Sequence, residues 1–370
     1  MKKFVYMDAS ASWLKTQSLV ETEVDFLVES YANAGRGICE RAEKVDVLIA
    51  KSRRMVADFI GAGAENIVWT GGATDALNRI VNIITSTLDN KNLVVAVSDL
   101  DHHSARLPWE ELASRGGCRT VLLNLDKNFN LDCDDIPRAD VFVITAMSNV
   151  LGIPQDVSGF IKAVRAKNPN AITIVDAAQY VAHEKIDVKK FDCDFMVFSG
   201  HKIGADTGVG VMYIKNPQIW ACDKFGGGMV KRILDNGDLI LNQGGEKFEA
   251  GTLPLTQIVG MKSAVEELKS WNGGRDLISF MYDELSKMKN IKMLTSRDSV
   301  IISFVPTNVH VLDFGVMIGA RNICLRVGNM CASWIHKKLD IDGSVRISVG
   351  PWNTVDDAKY VIENIKQVLG

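Results

Sequence analysis

Lys202 is the residue whose position most needs a chemical reason. It stands in FMVFSGHKIGADTGVGVMYIK (195–215), between two apolar runs, Phe195–Phe198 and Val209–Ile214, that read as neighbouring strands. A lysine normally keeps its ammonium in water. One held at the end of a buried strand loses its proton more readily and becomes a nucleophile toward carbonyl carbon. Asp176 follows a second apolar run, AITIV, at a separation from Lys202 that suits two adjacent strands joined by one connection. A carboxylate there needs a partner or takes up a proton; the same residue also reads as the N-cap of the following helix. After NIVWT (66–70) comes GGATDALN, where glycines and the Thr74 hydroxyl at a helix start suit a phosphate. A tight turn capped by Thr74 or Asp75 is the alternative. Neither GxxxxGK[ST] nor GxGxxG is present. His102 and His103 follow LVVAV and suit metal binding, acid–base work, stacking or a purely structural role, although no HExxH spacing accompanies them. Asn149 follows DVFVITAM and offers an amide for hydrogen bonding.

An imine-forming lysine, an aspartate and a phosphate-binding turn at three strand ends together suggest pyridoxal phosphate. The lysine holds its aldehyde, the aspartate keeps its ring nitrogen protonated and the turn takes its phosphate. The elements that must position these groups are legible in outline. From about residue 66 to 214, short Val/Ile-rich runs alternate with helical stretches, the pattern of a mostly parallel sheet covered by helices on both faces. Ligands of such sheets bind beyond the carboxyl ends of the strands. After FEAGTLPLTQ (248–257) the texture changes. A long helical stretch is broken by NGG at 272–274, and SVIISFV, ICLRV, VRISVG and helices near 310–320 and from Thr354 to Leu369 follow. This predicts a large cofactor domain over 18–267 and a smaller α+β domain formed by 1–17 with 268–370.

At 370 residues, 47% hydrophobic and 24% charged, the chain has the composition of a soluble globular protein large enough for two cores. A net charge of −3 argues against a binder of nucleic acid or anionic membrane. No apolar run is long enough to cross a bilayer, and MKKFVYMDASAS lacks the apolar segment of a signal peptide. Seven scattered cysteines (Cys39, Cys118, Cys133, Cys193, Cys222, Cys324 and Cys331) form no CxxC pair, which disfavours zinc or a disulfide framework and points to the cytosol.

Over nearly its full length the chain resembles the class V, fold-type I pyridoxal-phosphate enzymes, and within them the SufS-like (group II) cysteine desulfurases. The motifs that carry the resemblance occur in the family's order: YMDASAS, GGATDALN, DHHSARLPW, SNVLG, VDAAQ, DFMVFSGHK, TGVGVMYIK, FGGGMV, FEAGT, LRVGNMCA and VRISVGPWNT. The resemblance implies a fold-type I transferase in which Lys202 is the Schiff-base lysine and Asp176 the partner of the pyridine nitrogen. Gln179 and Asn149 would serve the ring's phenolic oxygen and nearby groups, and His102 would stack on the ring. Thr74, in the Ala73–Thr74 turn, would bind the phosphate with Ser199 and His201, and Thr252 would reach it from the second subunit of a homodimer. Arg346 would clamp the substrate carboxylate with Arg326 nearby, and Cys331 would accept sulfur. The implied activity converts L-cysteine to L-alanine, leaving a persulfide on Cys331 for an acceptor protein that feeds iron–sulfur cluster assembly. Four departures stand out: Ala73 where the family has a second threonine, Ala105 where it has an asparagine, GNMC without a histidine before the cysteine, and FEAGT continuing unusually as LPLTQ. The alternatives are a selenocysteine lyase or another class V aminotransferase or lyase. A non-catalytic scaffold is disfavoured by the intact Lys202 and Asp176.

Overall fold

A computed structural model of the chain describes residues 4–35, 37–88 and 92–370; the lysines at positions 2 and 3 lie outside this range. The first elements are β1 (Val5–Tyr6), α1 (Gln17–Asp25) and α2 (Glu40–Ile60). A strand–helix series follows: β2 (Ile67–Thr70), α3 (Ala73–Leu88), β3 (Leu93–Ser98), α4 (His103–Ser114), β4 (Cys118–Leu123), β5 (Val141–Thr145), α5 (Val157–Lys167), β6 (Ile172–Asp176), α6 (Val188–Phe191), β7 (Phe195–Ser199) and β8 (Gly210–Ile214). A hairpin, β9 (Val230–Ile233) and β10 (Leu239–Leu241), precedes α7 (Leu255–Ser270) and α8 (Arg275–Leu285). The chain ends with β11 (Ile291–Met293), β12 (Ile302–Pro306), α9 (Val311–Gly319), β13 (Ile323–Cys324), β14 (Arg326–Gly328), α10 (Ser333–Lys338), β15 (Ser344–Ile347) and α11 (Val355–Leu369).

The main sheet has seven strands in the order β2-β8-β7-β6-β5-β3-β4. Its centre is parallel, and β8 alone runs against its neighbours β7 and β2. The reversal has a simple cause. A parallel crossover needs a dozen or more residues, and the short turn from Ser199 to Gly210 cannot supply one. Because β2 opposes β8, it points the same way as β7, so the turn after β2 lies at the same sheet edge as Lys202 and Asp176. Strands β5, β6 and β7 are buried along their whole length, which is why they read as unbroken apolar runs. Alternate residues feed two cores. Val141, Val143, Phe195 and Val197 pack with α3 and α4, whereas Phe142, Ile144, Met196 and Phe198 pack with α2, α5, α6 and α7.

A second, antiparallel sheet, β11-β12-β15-β14, packs on α8, α9 and α11. Val5 and Met7 from the start of the chain belong to this core, and β1 pairs in parallel with β13. The first dozen residues thus lie beside the C-terminal third and lead from there to the edge of the main sheet. Trp13 packs edge-on against Trp271 and Trp352, and its backbone N–H donates to the His201 carbonyl at 2.8 Å. The β9–β10 hairpin has no counterpart in the sequence reading, because its exposed Ile233, Leu239 and Ile240 carry no core pattern.

Candidate active site

The carboxyl ends of β2, β5, β6 and β7 border a cavity of about 290 Å³. Ala73, Thr74, His102, Asn149, Asp176, Gln179, Ser199, His201, Lys202, Arg326, Cys331 and Arg346 all line it. Thr252 does not; it lies on a separate and larger cleft of about 1630 Å³.

One end of the cavity is the start of α3. Gly72 there has φ of +137°, and the Ala73 N–H donates to Ser199 Oγ at 2.8 Å. Thr74 and Ser104 share a hydroxyl hydrogen bond of 2.7 Å, while Asp75 accepts from the Gly71 N–H at 2.9 Å. Asp75 thus ties the turn down, as the tight-turn alternative expects, and Thr74 borders the cavity. The turn lies so close to β8 that a Cβ on Gly210 would sit 2.5 Å from the Gly72 Cα, so only glycine fits at Gly210.

Lys202 ends a single 3₁₀ turn that follows β7 directly. Burial lowers its pKa to about 8, opposed by the charge of Asp176 and reinforced by that of Arg346. Asp176 is buried at the end of β6, and burial raises its pKa against the Ala178 N–H, which donates to Oδ1 at 2.9 Å, and the Lys202 charge. His102 and His201 are both lowered to about 4 by burial, with the Lys202 charge adding to it, so both rings are neutral near pH 7. His102 caps α4 by accepting from the Ser104 N–H at Nδ1, 3.1 Å, which leaves its proton on Nε2. Gln179 donates to the Ser10 carbonyl at 2.8 Å.

Cys331 is exposed and lies between β14 and α10. Met330 and Cys331 both adopt left-handed backbone, φ 50° and 54°, which stores strain of about 1–3 kcal/mol per residue. Two long-range hydrogen bonds hold this geometry. Asn149 Nδ2 donates to the Met330 carbonyl at 2.7 Å, and the His103 N–H donates to the Cys331 carbonyl at 2.8 Å. His103 is also tied to α10, where its Nε2 accepts from the Ser333 N–H at 3.2 Å and its ring meets the edge of Trp334. The histidine whose role the sequence left open therefore braces the cysteine loop. Arg346 is fully buried; it donates to the Asn149 carbonyl at 2.9 Å and to Asp8 at 2.8 Å. Asp8 also pairs with Arg326 at 2.8 Å. Asp8 was missed as a site residue, although its position in YMDASAS, just after β1, was a usable signal.

A family model, aminotransferase class-V, matches residues 5–361. The chain belongs to the aminotransferase class-V family. Among relatives in this family, a probable cysteine desulfurase of Pseudomonas putida is 30% identical, with 98% of this chain and 93% of the relative covered. A probable cysteine desulfurase of Vibrio cholerae is 29% identical over 99% of this chain and 93% of its own. The solved structure of an apo cysteine desulfurase from Thermococcus onnurineus superposes with a TM-score of 0.92 at 27% identity, covering 99% of this chain and 94% of that one. The large mixed sheet with helices on both faces is therefore the fold-type I architecture. Class-V aminotransferases are generally pyridoxal-phosphate enzymes. Among the described residues, no helix is long and apolar enough to cross a membrane.

Proposed function

We propose that the protein is a pyridoxal-phosphate-dependent cysteine desulfurase that moves sulfur from L-cysteine to Cys331 and releases L-alanine. The observation that carries this reading is an exposed thiol and a low-pKa lysine on the walls of one cavity, which the buried Arg346 also lines. The cavity also fits the cofactor. The hydroxyls of Thr74, Ser104 and Ser199 cluster at the start of α3 where a phosphate would bind, a buried carboxylate stands one strand from Lys202, and Asn149 Oδ1 is buried without a partner. When bound, pyridoxal phosphate supplies an electron sink that makes the Cα–H of an amino acid acidic.

The chain's own groups would then act as follows. Lys202 would hold the cofactor aldehyde and, as a free amine, carry a proton to and from the substrate Cα; a pKa of about 8 keeps an appreciable neutral fraction near pH 7. Asp176 would keep the ring nitrogen protonated, while Thr74, Ser199 and His201 hold the phosphate. Neutral His102 would stack on the ring and present its Nε2 proton. Gln179 and Asn149 would hold the ring oxygen, and Arg346 would bind the α-carboxylate through its planar fork. Cys331 Sγ, giving up its proton, would attack the substrate sulfur; the C–S bonding pair would stay on carbon, a proton would take the place of the sulfur, and the enzyme would keep a persulfide.

A homodimer is part of this proposal. The separation of Thr252 from the Lys202 cavity supports its serving the phosphate of a partner subunit, across the cleft it lines. Seven unpaired cysteines support a cytosolic setting, and a sulfur-acceptor protein feeding iron–sulfur cluster assembly completes the reading. The purified protein with L-cysteine and a reductant should yield alanine and sulfide, and Cys331→Ala should abolish both. Undiminished turnover in that variant would remove Cys331 as sulfur acceptor. Parallel assays with L-selenocysteine distinguish a selenocysteine lyase, which turns over only the selenium substrate. Borohydride reduction should fix the cofactor to the peptide that contains Lys202.

A further inference from the structure

We propose that Asp8 is a specificity-determining residue that limits the carboxylate corner of the cavity to substrates with a single carboxylate. The inference rests on the reading of Arg346 as the carboxylate clamp. Asp8 is 6% exposed and bridges two guanidiniums: Oδ1 takes Arg346 Nη2 and Oδ2 takes Arg326 Nη2, each at 2.8 Å. Its backbone is fixed by a bridge to Ser348, and the Tyr6 hydroxyl donates to its carbonyl at 3.3 Å, so the carboxylate is held in place rather than recruited from solvent.

Both arginines line the cavity that also holds Lys202 and Cys331. Two guanidinium charges less one carboxylate charge leave this corner at +1, which one substrate carboxylate neutralises. Arg346 retains capacity for that ligand. The residue is 2% exposed, its two Nη atoms are engaged by Asp8 and the Asn149 carbonyl, and its buried Nε has no partner. An unmet donor on a buried cation is an unfavourable resting state that an arriving anion relieves. A substrate with a second carboxylate would turn the corner net negative in a partly desolvated site, where an unpaired charge is costly. Without Asp8, the same two arginines could take both carboxylates.

Cys331 provides a charge probe that does not depend on turnover, because it lies on the same cavity. Its alkylation by iodoacetate, which carries a carboxylate, is compared with that by neutral iodoacetamide in the full-length protein with cofactor. The modified site is read by peptide mass, so that exposed Cys39 and Cys133 do not contribute. Asp8→Asn should raise the iodoacetate-to-iodoacetamide ratio at Cys331 about five-fold, the effect of one unit charge several ångströms away at an intermediate dielectric. Arg326→Gln, at a half-exposed position where folding is not at stake, should lower that ratio by about the same factor. In the desulfurase assay, Asp8→Asn should also shift competitive inhibition from L-alanine toward L-aspartate. A ratio within two-fold of wild type in both variants would overturn the proposal, because a merely structural Asp8 would not alter charge discrimination. If Asp8→Asn does not fold, an unchanged ratio in Arg326→Gln overturns it alone. A wild-type protein that makes no alanine would refute the desulfurase reading instead, while the alkylation ratio would still judge Asp8.

Discussion

At Lys202, position sets chemistry through solvation. The fold takes the ammonium out of water, and Asp176 restores only part of what is lost, so the amine titrates near 8 rather than 10.5. Between those two values the unfolded chain binds more protons than the folded one, and this site makes folding more favourable as pH rises through that window. Below it, the site destabilises the fold. Lys202→Met, measured without added cofactor, should therefore be more stable than wild type at pH 7 by about 1–3 kcal/mol, with the difference gone near pH 10.5. Scanning calorimetry at the two pH values checks this, and equal melting at pH 7 would mean that the ammonium is fully solvated. Cys331 shows the complementary case, in which two hydrogen bonds from distant residues hold a backbone shape that neither Met330 nor Cys331 prefers.

At the scale of elements, the strand ends did what their sequence pattern implied. Lys202, Asp176, Ser199 and Thr74 were legible because each follows an apolar run, and a buried parallel strand exposes its first polar residues at the carboxyl edge. The direction of β8 was not legible from periodicity, since an apolar run is the same read in either direction. Helix α1 adds a contact that no motif announced. Glu23 faces Asp206, in the loop after Lys202, and Lys15 donates to the Ala205 carbonyl beside them. Burial and the facing Asp206 charge push the Glu23 carboxyl up to about 7. The folded chain thus keeps a proton that the unfolded chain releases between pH 4.5 and 7, so stability falls as pH rises through that window. Glu23→Gln should raise the melting temperature at pH 8 and leave it unchanged at pH 4.5. The gain is at most about 1 kcal/mol, because solvent screens a half-buried carboxyl. A gain at both pH values would point to packing rather than to this proton.

At the scale of the whole molecule, the site needs parts of the chain that are far apart in sequence, and on our reading it needs two chains. If Thr252 serves the partner's phosphate, mixing Lys202→Ala chains with Thr252→Val chains should regenerate one native site per mixed dimer. Cofactor affinity at that site should return to the wild-type value, as read by titration of the imine absorbance. No recovery on mixing would assign Thr252 to its own chain or to neither. Within one chain, Trp13 joins Trp271 and Trp352 where the first dozen residues pass from the second core to the main sheet.

The sequence by itself determined the sheet class, the polar residues at its carboxyl edge and, through motif order, the family. Each of these is local: a strand's burial and the residue that follows it are written within a few positions, and a motif is read in place. Only the tertiary structure decided that Asp8 binds an arginine 338 positions away, that His103 and Asn149 hold the cysteine loop, and that Thr252 lies off the Lys202 cavity. Those facts depend on how the two cores pack and on where the N-terminal segment threads between them. Pairing across such distances follows from the packing of the whole chain rather than from the propensity of any one segment.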